Sequence, residues 1–295
     1  MNPASSTVGL LHPGAMGSKV GAALAGNGHR VLWASQGRSR ATRQRAAEAG
    51  LDDAGTPGSV ARQCDVLLSV CPPDFALEVA EQAAAAGFGG TYVDANAVSP
   101  ATARAVAAAA LAGGAAGFVD GGIIGLPPSE PGTTRLYLSG DRAPSVAALF
   151  DGSVLGAVPI AGGEGAASAL KMAYAAFTKG SAALLAGILA LAEAEGVGEP
   201  LAEEWALSQP DLAARGRRRA VSGSAKAWRW AGEMEEIADT FAGADLPDGF
   251  HRAAAEIFRR LAEFKDVPEP PPLAEVLAAI NSGAPKMTGS PREAT

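Results

Sequence analysis

Apolar positions along the chain follow two regimes. Up to about residue 160, short apolar runs alternate with stretches in which apolar residues recur every three to four positions, the patterns of buried strands and of amphipathic helices. Strands are predicted at Thr7–Leu11, Val31–Ala34, Asp65–Val70, Thr91–Asp94, Phe118–Asp120, Leu136–Leu138 and Val154–Ile160. Helices are predicted between them at Ser18–Gly28, Arg43–Ala49, Phe75–Ala86 and Pro100–Leu111. Short strands that alternate with helices imply parallel crossovers, so this half reads as an α/β Rossmann domain with a doubly wound, mainly parallel sheet.

After Gly162 the strand pattern stops. Helical periodicity occupies Ala166–Glu195, Leu201–Leu207, Ala213–Ser222, Ala227–Phe241 and Gly249–Phe264, which predicts an all-α second domain. The expected division is 1–161 for the nucleotide-binding domain and 162–266 for a helical substrate and dimerisation domain. A Pro/Gly-rich tail, 267–295, containing the helix-like LAEVLAAI, is expected to be loosely held. The first helix of the second half is almost uninterrupted in helix formers, yet it places a single lysine, Lys171, one to two turns inside its apolar run.

Composition narrows the classes. The 295 residues are 48% hydrophobic, with a net charge of -7 and no broad basic stretch, which argues against a nucleic-acid partner whose affinity would rest on phosphate neutralisation. The Arg215 and Arg217–Arg219 cluster reads as a solvated helix face. Two cysteines, Cys64 and Cys71, are too few for a disulfide framework and read as buried small hydrophobes of a cytoplasmic protein. No basic and apolar leader opens the chain, and the longest apolar run is short of a membrane span, so neither export nor anchoring is expected. Alanine abundance and arginine in excess of lysine point to a GC-rich bacterial source.

The first turn carries the clearest candidate chemistry. His12, Pro13, Gly14, Ala15, Met16 and Gly17 follow the first strand and open a helix. Gly14 and Gly17 fill the second and third glycine places of the GxGxxG dinucleotide fingerprint, and His12 stands in the first. Glycine there lets backbone approach a pyrophosphate held by helix N-terminal amides. His12 reads as a substitute in the turn's geometry rather than a catalyst. The second strand ends without the acidic residue that selects NAD; Ser35, Arg38, Ser39 and Arg40 offer donors to a phosphate instead, so NADP(H) is the expected cofactor and NAD(H) the alternative. No Cys/His/carboxylate cluster has metal-ligand spacing, and no metal is expected.

Four segments in order, VGLLHPGAMG, TYVDANAVSP, FVDGGIIG and GGEGAASALK, make the chain resemble the β-hydroxyacid dehydrogenase family, which includes 6-phosphogluconate and 3-hydroxyisobutyrate dehydrogenases. The resemblance implies a nicotinamide ring between the domains near Cys71, Pro72 and Asn96, and a substrate turn at Gly121, Gly122 and Ile124. It implies Lys171 as general acid or base in hydride transfer to or from a small hydroxy or carbonyl compound, and a homodimer. A desolvated ammonium has its pKa lowered toward neutrality, which suits that role.

Three positions depart from the family. Ile124 replaces the serine of the substrate turn. Ala175 replaces an asparagine, leaving Tyr174 and Thr178 as the polar groups near the Lys171 face. Glu233 stands where many members carry lysine, which shifts preference away from anionic substrates. An imine reductase on the same fold and a non-catalytic NADPH-binding sensor are the alternative readings. Tyr174 is equally read as core, and Trp228 and Trp230 as packing aromatics.

Overall fold

A computed structural model describes residues 6–265 and 267–282. The end of the tail and the first residues of the stretch read for a leader lie outside the described residues. An eight-stranded sheet has the order β3-β2-β1-β4-β5-β6-β7-β8, built from β1 (Thr7–Leu11), β2 (Arg30–Trp33), β3 (Asp52–Asp53), β4 (Val66–Ser69), β5 (Thr91–Asp94), β6 (Gly117–Ile124), β7 (Thr134–Ser139) and β8 (Leu155–Pro159). All neighbouring pairs are parallel except β6 with β7. Between them run α1 (Ala15–Gly26), α2 (Arg40–Glu48), α3 (Pro57–Ala61), α4 (Ala76–Ala85), α5 (Pro100–Ala112) and α6 (Ala143–Ala148). The Rossmann architecture expected from the alternation is present.

Central strands are apolar throughout because helices cover both faces of a parallel sheet. Leu10, Leu67, Val93 and Val119 are fully buried, divided between two apolar layers, one carrying α1 and α6 and the other α3, α4 and α5. Strand order reverses between β1 and β4, so the carboxyl ends of those strands open a crevice. His29 ties this frame at its rim: its Nδ1 accepts from the Ser6 amide at 3.3 Å and its Nε2 lies 3.0 Å from the Leu149 carbonyl oxygen. Both ring nitrogens are thus used structurally.

Three elements of this half escape the apolar pattern: β3, α3 and α6. β3 is two exposed aspartates, with no apolar signal to detect. α3 starts from a Thr56 hydroxyl cap and Pro57, and α6 has Pro144 in its first turn, so both are short helices defined by their starts rather than by periodicity.

The second half contains α7 (Ala166–Ala194), α8 (Gly198–Ser208), α9 (Leu212–Ala242), α10 (Gly249–Arg260) and α11 (Leu273–Asn281). The chain divides into two compact units, one of residues 1–174 with 239–245 and the other of 175–238 with 246–295. Within the second, Met234, Ile237, Ala255, Phe258 and Val276 are buried, and Trp230 meets Phe258 edge-on at 5.3 Å. Trp228 instead stacks under the Lys265 ammonium, 4.2 Å from its ring centroid. The two helices expected at 213–222 and 227–241 are one. Gly223 lies against the Trp230 ring, and Ser224 returns its hydroxyl to the Val221 carbonyl at 2.8 Å, so the polar SGS triplet does not break the helix. The helix-like stretch of the tail is α11, held by Arg260 donating to the Ile280 carbonyl at 2.8 Å and Asn281 donating to that of Ala190 at 2.9 Å. By length and composition α7 could cross a membrane, a property missed by counting uninterrupted apolar residues; 44% of its apolar window is buried, with Ala183, Leu185, Ala186 and Leu189 inside.

Candidate active site

The carboxyl ends of β1, β2, β4, β5 and β6 gather the sequence-predicted residues of the first unit along one edge of the sheet. His12 leaves β1 with φ 67, in the left-handed region, and the Gly14 amide donates to its carbonyl at 2.7 Å. The chain then enters α1, where a Cβ on Gly17 would lie 2.5 Å from the same carbonyl, so only glycine permits this packing. A Cβ on Gly14 would meet nothing within 4 Å. That open space lies over the first turn of α1, whose amides have no intrahelical acceptor. It fits an anion at a helix N-terminus, and Pro13, Ala15 and Met16 complete the turn.

The His12 ring sits on a recess shared with Leu11, Arg38, Pro57, Val79 and Gln82. Burial, reinforced by the Arg38 charge, lowers its pKa to about 4, and its Nδ1 is buried without a hydrogen-bond partner. Partial burial also pulls the Arg38 guanidinium below its usual value, against the opposing effect of Cys71. The loop after β2 divides its candidates. Ser35 is buried and its amide donates to the Asp53 carboxylate at 3.2 Å. The Ser39 hydroxyl caps α2 by accepting from the Thr42 amide at 3.2 Å, so its first role is structural. Arg40 opens α2 exposed to solvent.

Asn96 is 2% exposed and joins two strand ends. Its Oδ1 accepts from the Cys71 amide at 2.6 Å, while its Nδ2 donates to Ser69 Oγ at 3.0 Å and to the Asp94 carboxylate. Asn96 therefore shapes the Cys71–Pro72 turn from behind. Burial pushes the Cys71 thiol up to about 12, so it is held as a neutral thiol, and Cys64 likewise.

Lys171 is brought to this edge by two features of β6. A Cβ on Gly122 would lie 2.7 Å from the Ala167 carbonyl oxygen and 2.9 Å from the Lys171 Cβ, so the strand meets the start of α7 with no space for a side chain. Asp120, fully buried, accepts from the Ser168 amide at 2.9 Å and from the Ser168 hydroxyl at 2.6 Å. Ser139 adds bonds to Asp120 at 3.2 Å and from the Ala167 amide at 3.1 Å. A carboxylate on first-turn amides satisfies donors the helix leaves open and favours its dipole. Asp120 lay inside a quoted motif but was not singled out; an acid ending an apolar strand was its signal.

Of the substrate candidates, Gly121 packs against the Asp94 carbonyl and Ile124 is buried on β6. Tyr174 is 48% exposed, which corrects its reading as core. Thr178 and Glu233 belong to the second unit. The Glu233 carboxylate is ion-paired with Lys179, both largely buried. The pair is neutral overall. Lys179 and Asp53 were not anticipated, since neither stands in a local motif. Asp53, its pKa lowered by hydrogen bonds from Ser35 and Gly55 and by the Arg43 charge, is tied to the turn after β2. Among the described residues no group of three or more His, Cys, Asp or Glu side chains is arranged to hold a metal ion.

Sheet order, glycine turn and helix-borne lysine define a dinucleotide-dependent oxidoreductase fold. Residues 7–149 match the NAD binding domain of 6-phosphogluconate dehydrogenase, and residues 192–261 match DUF1932, a domain of unknown function. The comparison with curated proteins returns no match. Among solved structures, a conserved protein of unknown function, described as similar to 3-hydroxyacid dehydrogenases, is 28% identical with a TM-score of 0.64, covering 88% of this chain and 97% of that one. A Mycobacterium tuberculosis 3-hydroxyisobutyrate dehydrogenase, in a structure with L-serine, is 19% identical with a TM-score of 0.68 over 94% and 99% of the two chains. An imine reductase from Streptomyces aurantiacus is 20% identical with a TM-score of 0.51 over 92% and 98%. In its NAD-binding domain and in its fold the chain is similar to the hydroxyacid dehydrogenases, which are NAD(P)-dependent oxidoreductases.

Proposed function

We propose that the protein prefers NADP(H) and transfers hydride between the nicotinamide and a small hydroxy or carbonyl compound, with Lys171 as general acid or base. The observation that carries this reading is the contact of Gly122 with Ala167 and Lys171, which sets the lysine at the sheet edge that also bears the α1 turn. The cofactor, when bound, supplies the hydride acceptor or donor. The amides of Ala15, Met16 and Gly17 hold its pyrophosphate, and Ser35 and Arg38 receive the ribose phosphate. Asp53 is no obstacle, because its charge is spent on the Ser35 and Gly55 amides and offset by Arg43. The Lys171 ammonium gives a proton to the oxygen that gains charge as a carbonyl is reduced, or takes it from an alcohol in the reverse direction.

The test is Lys171→Met in a panel of hydroxyacids, aldehydes and imines, read by nicotinamide absorbance with NADPH and NADH in parallel. Turnover falls about 10²–10⁴-fold, the usual worth of a positioned acid or base, while NADPH binding persists. Full turnover in a variant that binds NADPH normally refutes the assignment. Imine reduction is the second reading, favoured by the shared fold with the Streptomyces aurantiacus imine reductase. Turnover on imines alone selects that reading, and no turnover across the panel leaves an NADPH-binding sensor.

We also infer a cytoplasmic homodimer. Leu170, Tyr174, Phe177, Leu184 and Leu191 of α7 are all exposed, Phe177 by 74%. With Ser181 and Ile188 they occupy alternating four- and three-residue steps, a coiled-coil spacing. These steps keep the apolar positions on one face of the helix, which a second α7 packed antiparallel about a two-fold axis would cover.

A further inference from the structure

We propose that the His12 side chain is itself a nucleotide-binding group: it borders a small recess of about 20 Å³ over whose mouth the adenosine half of the cofactor lies, and donates its Nε2–H there. The proposal rests on the dinucleotide reading above and assigns a specific task to a residue that departs from the fingerprint.

Three independent features coincide at this residue. First, its φ of 67 is a conformation glycine adopts freely and a histidine adopts at a cost, so a residue needed only for the turn is better served by glycine. Second, its Nδ1 is buried without a hydrogen-bond partner although the residue as a whole is only partly buried, whereas both nitrogens of the buried frame residue His29 are engaged. Unsatisfied buried polar atoms and strained backbone concentrate where a protein binds or reacts. Third, the ring lines a recess whose other walls are of two kinds. Pro57 and Val79 present apolar surface suited to a flat base, and Arg38 and Gln82 present donors suited to a ribose or its phosphate.

The tautomer follows from the surroundings. A buried N–H without an acceptor is rarer in folded proteins than a buried acceptor without a donor, so the proton resides on Nε2 and the ring acts as a donor. The neighbouring Arg38 disfavours a second proton. His12 therefore binds as a neutral imidazole, adding a directed hydrogen bond without a further charge beside Arg38.

The experiment is calorimetric titration of the purified full chain and its His12→Gly variant with NADPH, NADH, 2′,5′-ADP and nicotinamide mononucleotide, alongside thermal unfolding without ligand. In H12G the unfolding temperature rises, and affinity for both NADPH and 2′,5′-ADP falls at least tenfold with that for nicotinamide mononucleotide unchanged. His12→Asn, whose short side chain also tolerates the left-handed region, serves where H12G does not fold, and it too loses 2′,5′-ADP affinity. Wild-type affinity for 2′,5′-ADP in either folded variant overturns the proposal. A native chain that binds neither NADPH nor NADH overturns the dinucleotide reading instead, so the two failures are distinct.

Discussion

Gly122 decides where Lys171 stands. The Ala167 carbonyl and the Lys171 Cβ both occupy the space a Cβ on Gly122 would need, and neither is the yielding end of a flexible side chain. Gly122→Ala must therefore separate β6 from α7. The expected result is a loss of about 1–3 kcal/mol in stability, typical of overpacking, and a fall in turnover with NADPH affinity retained, measured by thermal unfolding, steady-state kinetics and calorimetry. Equal turnover in G122A would mean that Lys171 does not depend on this contact. At this scale the sequence was informative wherever a residue type is demanded by backbone: Gly14, Gly17, Gly122 and Lys171 were all legible within their motifs. It was silent on residues defined by their partners, such as Asp120 and Asp53, because a hydrogen bond across about 20 to 50 residues leaves no local spacing.

The element that concentrates these effects is α7. Its start is anchored by Asp120 and Ser139, and its length carries an apolar stripe at heptad steps. A double substitution, Phe177→Glu with Leu184→Glu, places two like charges per helix in the proposed antiparallel seam. Light scattering at micromolar concentration is expected to change from dimer to monomer, with far-UV circular dichroism unchanged; a variant that remains dimeric locates the interface elsewhere. Periodicity predicted α7 well because tertiary contacts and the 3.6-residue repeat agree there. It failed at α9, where Trp230 packing over Gly223 outweighs the low helix propensity of a glycine between serines.

For the molecule as a whole, His12 links the site to stability. Its imidazole titrates at about 4 in the folded chain against the usual 6.5. Between those values the unfolded chain carries a proton that the folded chain does not, so stability is complete above pH 6.5 and falls as pH drops toward 4. The expected loss is on the order of 3 kcal/mol over that window. His251, also lowered by burial, contributes with the same sign. Urea unfolding at a series of pH values measures the slope, and H12G flattens it; an equal slope in both proteins would show that other groups carry the acid sensitivity.

Apart from the two-residue β3, the sheet's strand succession, the change to helices after Gly162 and the placement of glycines and Lys171 were determined by the sequence alone. Each depends on periodicity or on a backbone requirement that a residue type expresses locally. Tertiary structure decided the antiparallel turn of β6 into β7, the pairing of Glu233 with Lys179, the inward service of Asn96 and the burial of the His12 ring. Those depend on which distant groups meet and how far water is excluded from them, and burial and partners are properties of the packed chain rather than of any segment.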